Sequence, residues 1–240
     1  MANPWARDRA TAFYISVGLI GLAVVALGFG VTYVAPMVGG TFMAPWYVHL
    51  HGATALGWVL LLIAQAALVR QRQSPLHRRV GRIALPLALA VWATGIATAY
   101  WVVQRDLPTM GSAATSGLAG NVTGLTLYLL LVIWAWIARD RLDWHKRLVM
   151  LATIHLLWPA FFRLRHLLPG VPDPDIWFAL VLAYSPILIA ALRDLRCYGR
   201  IHPVWLFVGP ALVLEQTLEF LYFDRGVLRH FGAWLYTVTG

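Results

Sequence analysis

The chain has 240 residues, of which 60% are hydrophobic and only 12% are charged. A soluble domain carries about twice that charged fraction, so the composition excludes a soluble globular protein and indicates a multi-pass membrane protein. The net charge of +9 would favour a nucleic-acid partner in a soluble chain. Here the basic residues cluster in short loops between apolar stretches, so the partner we expect is the lipid bilayer and not a nucleic acid.

Seven apolar stretches are long enough to cross a bilayer, which takes about 20 residues each. The sequence therefore predicts an all-α integral membrane bundle of about seven transmembrane helices, built as one domain over residues 1–240. The single cysteine, Cys197, excludes an intramolecular disulfide. The predicted spans lie near residues 12–36, 47–69, 80–104, 119–138, 146–168, 175–195 and 202–223.

The loops between these spans alternate in charge. One set of loops holds 14 of the 19 basic residues, and the other set holds five. Positive charge stays on the cytoplasmic side, so we expect the N-terminus inside and the C-terminus outside. The first set comprises Arg7, Arg9, Arg70, Arg72, Arg78, Arg79, Arg82, Arg139, Arg141, Lys146, Arg147, Arg193, Arg196 and Arg200.

A His-basic-basic segment occurs twice, as His-Arg-Arg at residues 77–79 and His-Lys-Arg at residues 145–147. Each copy follows an apolar run and a charged loop, and a second apolar run comes after it. The pattern predicts a duplicated two-helix hairpin, with spans two and three (47–104) matching spans four and five (119–168). Repeats of equal orientation are related by an axis along the membrane normal. We expect a four-helix core, with a C-terminal helix pair at residues 175–223 beside it.

Several prolines fall inside the predicted spans. Proline removes a backbone donor and leaves the carbonyl four residues earlier in need of another partner. These positions predict kinks, although proline is also tolerated in ordinary membrane helices. The prolines concerned are Pro86, Pro159, Pro186 and Pro210.

Ionisable side chains inside a membrane are costly and usually mark function. The only two glutamates, Glu215 and Glu219, lie four residues apart on one face of the last span. Arg163 and His155 lie on the fifth span, and we take all four as candidate catalytic residues. Arg163 is expected to pair with one of the glutamates, because each alone would be an expensive unpaired charge. The alternative is a buried ion pair that only fixes helix packing.

The remaining histidines of the outer half are candidate cofactor ligands. His49 and His51 open the second span, and Gly52 beside His51 allows a ligand or a neighbouring backbone to approach closely. His166 follows His155 by eleven residues and shares its helix face. The sequence therefore predicts one polar pocket that opens to the outer side of the membrane.

His77 and His145, in the repeated segment, carry two alternative interpretations. A run of histidine and basic residues beside a membrane helix commonly binds lipid phosphates. The second interpretation is axial ligation of haem b, with the haem propionates meeting the neighbouring arginines. His202 is a further candidate ligand on the same side of the membrane.

Three segments carry a resemblance to an uncharacterised family of bacterial multi-pass inner-membrane proteins. They are H-x-H-G at residues 49–52, L-H-R-R-x-G at 76–81 and W-H-K-R-L-x-M-L-A-T at 144–153. The resemblance covers roughly residues 45–165 and implies a membrane core without a settled activity. More distantly, histidines at both ends of a four-helix core resemble small b-type cytochromes of the cytochrome b561 kind. That resemblance implies two ligand pairs, His51 with His155 or His166 outside and His77 with His145 or His202 inside.

Three functions remain open from the sequence. The first is an integral membrane oxidoreductase or electron-transfer protein with histidine-ligated haem b and an outward pocket for quinone. The second is a haem-free membrane enzyme acting on a lipid or isoprenoid-like substrate by His and Glu acid–base chemistry, or with zinc, iron or copper at His51 and His155. The third is a transporter or assembly subunit, in which Arg163, Glu215 and Glu219 would form a proton or ion relay.

Overall fold

The computed structural model describes the backbone of residues 4–239 and the side chains of residues 11–238. Arg7 and Arg9, which entered the charge count, therefore have side chains outside the described part. Ten α-helices occur in this part, and no strand. They are α1 Pro4–Phe29, α2 Ala35–Val38, α3 Trp46–Arg70, α4 Ser74–Gly81, α5 Ala84–Met110, α6 Ser112–Ile137, α7 Leu142–Arg163, α8 Ala183–Tyr198, α9 Gly209–Leu221 and α10 Gly226–Thr239.

Seven helical segments are long and apolar enough to cross a membrane, which confirms the predicted count for a multi-pass membrane protein. They lie close to the predicted spans. Six are longer than predicted and the last is shorter; the third is extended most, because the short helix α4 precedes α5 in it. The segments are Thr11–Val38, Trp46–Arg70, Ser74–Met110, Ser112–Asp140, Leu142–His166, Asp175–Tyr198 and Val204–Leu221.

Short connections make consecutive spans antiparallel and divide the loops between two ends of the bundle. We call the end that holds residues 71–73, 138–141 and 199–203 the basic end, and the other the opposite end. The tightest connection is at the opposite end, where Gly111 alone separates α5 from α6. Its φ of 56° is a backbone conformation that glycine adopts without a steric penalty.

The predicted four-helix core is present as a ring of neighbours. In this ring α3 packs on α5, α5 on α6, α6 on α7, and α7 closes the ring against α3. The last contact includes a hydrogen bond of 3.0 Å from Trp58 Nε1 to Thr153 Oγ1. Helix α1 packs beside α3 and α7, and α8 packs on another side of α7.

Helix α7 is the most enclosed of the spans. Its most apolar stretch is 67% buried, against 22–33% for the others, although its mean hydropathy of 1.3 is the lowest of the seven. Neighbouring helices take the place of lipid around it. This position explains how polar residues that weaken the fifth span as a membrane segment are accommodated within the bundle.

The two predicted hairpins differ where their sequences are most alike. His77 lies in the separate short helix α4, which ends before α5 begins, whereas His145 lies in the first turns of α7 itself. The first copy therefore lies before a turn at residues 82–83 that separates α4 from α5, and the second lies within one long helix. The duplication of the sequence stays a prediction.

Three π-helical stretches precede prolines in the spans. They are Gly30–Val34, Asp175–Leu182 and Val204–Val208, and Pro36, Pro186 and Pro210 follow within four residues. Proline cannot supply an amide donor, so the regular helical ladder is interrupted there. Pro186 leaves the carbonyl of Leu182 without its helical donor, and the Ser185 hydroxyl donates to it at 2.8 Å.

Helix α10 packs against the opposite end of α6 and does not extend away from the bundle. Gly232 meets the backbone of Thr115 so closely that an added Cβ would overlap the Thr115 carbonyl. The Tyr236 ring stacks on that of Tyr100, with 5.3 Å between their centroids. Asp224 fixes the turn before α10 by accepting hydrogen bonds of 3.0 Å from two serines, Ser112 and Ser116.

Candidate active site

A chain of buried side chains crosses three helices in the opposite half of the bundle. It begins at His155 of α7, which is 2% exposed. His155 Nε2 lies 3.0 Å from the Gly124 carbonyl oxygen, and His155 Nδ1 lies 2.9 Å from the Tyr184 hydroxyl. A carbonyl oxygen only accepts hydrogen bonds, so Nε2 carries a proton. His155 is thereby fixed in orientation, and its Nδ1 faces Tyr184.

The chain continues from α8 to α9 through a buried amide. The Tyr184 hydroxyl lies 3.2 Å from Gln216 Oε1, and Gln216 Nε2 donates to Glu219 Oε2 at 3.3 Å. Gln216 is 1% exposed. Gln216 and Glu219 are three residues apart, so they lie on adjacent turns of α9 and face the same side. We call the four side chains His155, Tyr184, Gln216 and Glu219 the His–Glu chain.

The direction of the hydrogen bonds in the His–Glu chain depends on where the proton resides. Tyr184 has one hydroxyl proton to donate. When it donates to Gln216, His155 Nδ1 must donate to Tyr184, which requires a protonated imidazole and suits a Glu219 carboxylate. When His155 is neutral, the Tyr184 hydroxyl donates to His155 Nδ1. The Gln216 amide then rotates so that its Nε2 faces Tyr184 and its Oε1 faces Glu219. Protonation of His155 and of Glu219 is therefore coupled across the three helices.

A glycine on α6 makes room for the carboxyl group of Glu219. A Cβ placed on Gly120 would overlap that carboxyl group directly. Any side chain here would displace Glu219 from its position. Gly117, one turn earlier on the same helix, has open space around it.

Glu215 lies one turn before Glu219 on the same face of α9. Its Oε2 atom is buried and has no hydrogen-bond partner within the described part of the chain. The Thr123 hydroxyl of α6, which lines the same groove, donates to the Ala119 and Gly120 carbonyls. No ion pair to Glu215 or Glu219 is present among the described side chains. An unpartnered carboxyl oxygen at this depth is costly in free energy, so it marks a candidate contact for a ligand.

Both glutamates line a large apolar groove between α6, α9 and α10. The groove has a volume of about 880 Å³, and its walls come from residues 122–127, 211–222 and 226–231. Apart from Glu215 and Glu219, its lining is mostly aliphatic and aromatic. Substrate sites in proteins typically combine such apolar walls with a few polar groups.

Arg163 does not join this site, and the predicted ion pair with Glu215 or Glu219 is wrong. Its Nη1 donates to the Pro159 carbonyl at 2.8 Å, and its guanidinium lies 4.2 Å from the centroid of the Phe29 ring. Phe29 belongs to α1, on a different side of α7 from the glutamates. The helix rotation that points His155 at α8 turns Arg163 toward α1.

The histidines of the second span also lie elsewhere. His51 Nδ1 is 3.3 Å from the Thr94 hydroxyl of α5, and His49 Nδ1 is 2.5 Å from the Tyr33 hydroxyl. His166 is exposed in a 3₁₀ turn after α7. The single outer pocket predicted from the sequence is therefore not formed, since His155 and the glutamates lie together without these three histidines.

Metal binding gains no support from this arrangement. Among residues 11–238 no three histidine, cysteine, aspartate or glutamate side chains form a group that could hold a metal ion. His155, the predicted partner of His51, has both ring nitrogens engaged with Gly124 and Tyr184. A ligating histidine needs one free nitrogen.

The basic end contains an ion pair that the sequence analysis did not identify. Arg147 Nε donates to Asp194 Oδ2 at 2.7 Å, and the two side chains are 4% and 3% exposed. Arg147 Nη1 also donates to the Asp143 carbonyl at 2.8 Å. Arg147 was counted only as a loop charge. The signal that could have revealed it is an aspartate, Asp194, within the largely apolar sixth span.

The histidines of the basic end form a looser group. His145 Nδ1 lies 2.9 Å from the Ala135 carbonyl oxygen, while His77 Nδ1 is buried without a partner in the described part of the chain. His202 lies with its Nε2 3.1 Å from Asp143 Oδ2. Burial lowers the pKa of His202 from its ordinary value, and the hydrogen bond to Asp143 opposes that shift.

Tyr184, Gln216 and Gly120 are the members of the site that sequence analysis missed. Gln216 adjoins Glu215, and a polar amide in the last span was available as a signal. Tyr184 and Gly120 gave none, because a tyrosine or glycine in a membrane helix is ordinary.

Comparison of the chain with known proteins adds no family to this description. No protein-family model matches it, and no curated protein or solved structure is significantly similar to it. The function must therefore be inferred from the site itself.

Proposed function

We propose that this protein is a membrane-embedded enzyme that binds a lipid-soluble substrate in the groove and transfers a proton at the polar part of that substrate. The observation that supports this most is a pair of glutamates in an apolar groove that have no cationic partner among the described side chains. One of them is hydrogen-bonded into the His–Glu chain. Buried carboxyl groups are suited to general acid–base catalysis. This is the haem-free alternative of the sequence analysis.

The reaction class is proton abstraction and return within one substrate molecule. One glutamate carboxylate accepts a proton from the substrate, and the other, protonated, donates one at a second position. Glu215 and Glu219 are one helical turn, about 6 Å, apart along α9, which separates acceptor and donor along an extended substrate. The two steps balance in protons and electrons, so the reaction is an isomerisation that needs no oxidant or reductant.

The two glutamates exchange protonation states at each turnover, and the proton must return between them before the next one. The His–Glu chain would set which glutamate holds the proton at rest, because it hydrogen-bonds to Glu219. A proton gained by Glu219 favours the neutral form of His155, and its loss favours the protonated form, through the reversal of hydrogen bonds at Tyr184 and Gln216. This predicts that Tyr184 acts as a positioning residue for proton transfer, although it lies outside the groove.

Deuterium exchange tests the proposal even while the substrate is unidentified. Proteoliposomes of the protein and extracted bacterial lipids, incubated in heavy water, should yield a lipid species that gains deuterium at carbon. Glu219→Gln should abolish that gain, because the amide neither accepts nor returns the proton. Tyr184→Phe should slow it about 10²-fold or more, the contribution typical of an assisted proton transfer.

The matched control is Tyr128→Phe. Tyr128 is another fully buried tyrosine, but its hydroxyl has no hydrogen-bond partner in the described part of the chain. Its replacement should leave the exchange rate unchanged. Equal deuterium gain in the starting protein and in Glu219→Gln, or none in either, would refute the proposed acid–base function.

Haem binding at the basic end is the second candidate function. The observation that favours it is a pair of histidines at one end of the bundle, with His145 oriented by the Ala135 carbonyl and His77 Nδ1 unpartnered in the described part of the chain. A hydrogen bond to the far nitrogen is the usual way of orienting a ligating imidazole. A Soret band in protein purified from haem-replete cells, lost in His77→Ala, would support an oxidoreductase; a colourless preparation would exclude it.

We also propose the orientation that the loop charges favour. The basic end would face the cytoplasm of a bacterial inner membrane, and α10 would lie at the outer surface. The groove would then take its substrate from the outer leaflet. Accessibility of Cys197, which is exposed at the basic end, to a membrane-impermeant thiol reagent in intact cells tests this, since labelling from outside would reverse the orientation.

A further inference from the structure

The groove extends beyond the glutamates as a narrow apolar seam. A second cavity of about 280 Å³ lies between α6 and α9 on the side nearer the basic end. Leu127, Ala211 and Glu215 line both cavities, so the two adjoin. The seam ends at Trp134 of α6 and Val208 beside α9. Its lining beyond Glu215 is entirely apolar.

The combined length fits a single lipid chain. From Val122 to Trp134 the wall advances twelve residues along α6, which corresponds to about 18 Å at the helical rise. One leaflet of a bilayer has a hydrocarbon depth of about 15 Å. The narrow seam therefore suits the tail of one chain, and the wider groove beside Glu219 suits its head.

The carboxyl groups of Glu215 and Glu219 determine which polar head group the lipid can carry. Two carboxyl groups line the groove, and neither forms an ion pair with a described cationic side chain. Arg163, the nearest candidate from the sequence, is held against Phe29. A phosphate or carboxylate head would meet like charge here without compensation, which opposes binding. A hydroxyl head can donate to Glu219 or to the unpartnered Glu215 Oε2.

We infer that the ligand of this groove is a single-chain lipid with a hydroxyl head, its head at Glu215 and Glu219 and its tail along the α6–α9 seam toward Trp134. This inference rests on the proposed function for the idea of a lipid-soluble substrate, and it specifies head and chain. The seam binds an alkyl or an isoprenoid chain equally well, because both present the same apolar surface, whereas the proposed proton transfer at carbon requires a carbon–carbon double bond in the chain that reacts.

Photolabelling of the full-length protein in nanodiscs tests the placement. The probes are two diazirine derivatives of hexadecanol, one with the diazirine near the hydroxyl and one with it at the chain terminus. The first should label peptides within residues 214–231, and the second should label residues 127–134 and 208–212. Labelling by the terminal probe that is spread over lipid-facing surfaces such as Leu188 and Ile189 would overturn the inference.

Competition identifies the head and the chain. Unlabelled hexadecanol should displace the probe at a concentration about tenfold lower than hexadecanoic acid, the factor expected for one well-made polar contact. Equal or better competition by the acid would overturn the hydroxyl assignment. Geranylgeraniol tested in parallel distinguishes an isoprenoid chain from an alkyl chain by which competitor acts at the lower concentration.

A pair of substitutions checks that the seam itself is occupied. Leu130→Trp narrows the seam and should remove terminal labelling of residues 127–134 while head labelling persists. Leu188→Trp is the matched control, because Leu188 is similarly exposed to lipid on α8, away from the seam. Photolabelling measures where the ligand binds and does not depend on catalysis. Labelling at the expected residues without deuterium exchange would refute the proposed acid–base function and leave this inference standing. Labelling elsewhere together with deuterium exchange would refute this inference and leave the proposed function standing.

Discussion

The two ends of the helix bundle handle buried charge in opposite ways. At the basic end, Arg147 and Asp194 form a 2.7 Å ion pair, and Arg147 also donates to a backbone carbonyl. In the opposite half, Glu215 and Glu219 form no ion pair with a described side chain, and a buried oxygen of Glu215 has no partner there. The charges of the first cluster are paired within the protein. The carboxyl groups of the second cluster have no such counter-charge among the described side chains, and they line a groove.

This contrast separates structural charge from candidate functional charge. The buried Arg147–Asp194 ion pair holds helices α7 and α8 together, and partners within the protein satisfy both charges. Unpaired carboxyl groups beside about 880 Å³ of apolar space reduce stability unless something else offsets the cost. Four substitutions test the contrast, from the largest expected effect to the smallest.

Asp194→Ala should be the most destabilising change. It leaves Arg147 buried without its counter-charge, which costs about 3–5 kcal/mol of unfolding free energy. Unfolding by denaturing detergent, followed by tryptophan fluorescence, measures the loss. Asp140→Ala, an exposed aspartate at the same end, serves as control and should change little. A loss similar to that of Asp140→Ala would show that the pair is not structural. Arg147→Met combined with Asp194→Leu should recover much of the stability.

Gly120→Ala should displace Glu219 and cost about 1–3 kcal/mol, as expected for overpacking a tight contact. It should also reduce binding of the hexadecanol probe, because the carboxyl group can no longer occupy its place beside α6. Gly117→Ala on the same helix meets open space and should preserve both stability and binding. Parallel thermal unfolding and photolabelling measure the two effects; equal behaviour of the two alanine variants would contradict the Glu219 geometry.

Glu215→Leu should separate stability from binding. Removal of the unpartnered buried oxygen should raise the unfolding free energy by about 1 kcal/mol, since that atom no longer lacks a partner. The same change should weaken hexadecanol binding. A variant both less stable and able to bind normally would mean that Glu215 belongs with the structural charges and not with the ligand site.

His202 should give the smallest effect, visible as a dependence of stability on pH. Partial burial lowers its pKa in the folded protein, so the folded state binds fewer protons than the unfolded state does. The contribution of His202 to the unfolding free energy is therefore complete above the pKa of about 6.5 that histidine has in the unfolded chain. It is lost as the pH falls through the lower pKa of His202 in the folded protein. Unfolding measured from neutral to mildly acidic pH should show a shallower loss in His202→Gln. An unchanged profile would show that His202 does not contribute.

The membrane architecture was predictable because hydropathy and loop charge are local properties of the sequence. All seven spans follow from hydropathy, and the ring of α3, α5, α6 and α7 was predicted from the repeated His-basic-basic segment. The short helix α4 and the docking of α10 did not follow. Both are set by contacts with the finished bundle, such as Gly232 against Thr115, and not by the composition of their own segments.

The candidate site was predictable only in part. His155, Glu215 and Glu219 were recognised from the cost of polar groups in lipid. Their partners were not, because the rotation of each helix about its own axis decides which polar residues meet. Arg163 shares a membrane half with the glutamates yet faces α1. Tyr184 and Gln216 complete the connection only because α8 and α9 turn those side chains toward α7.

The enclosure of α7 has a consequence for how the protein is made. The translocon releases a segment into lipid according to its hydrophobicity, and the fifth span has the lowest of the seven, with Arg147 near one end. The partner of Arg147 is synthesised 47 residues later. We therefore expect the fifth span to become stable in the bilayer only after the sixth, which carries Asp194, has been synthesised. A ribosome stalled before Asp194 would leave the fifth span retained at the translocon.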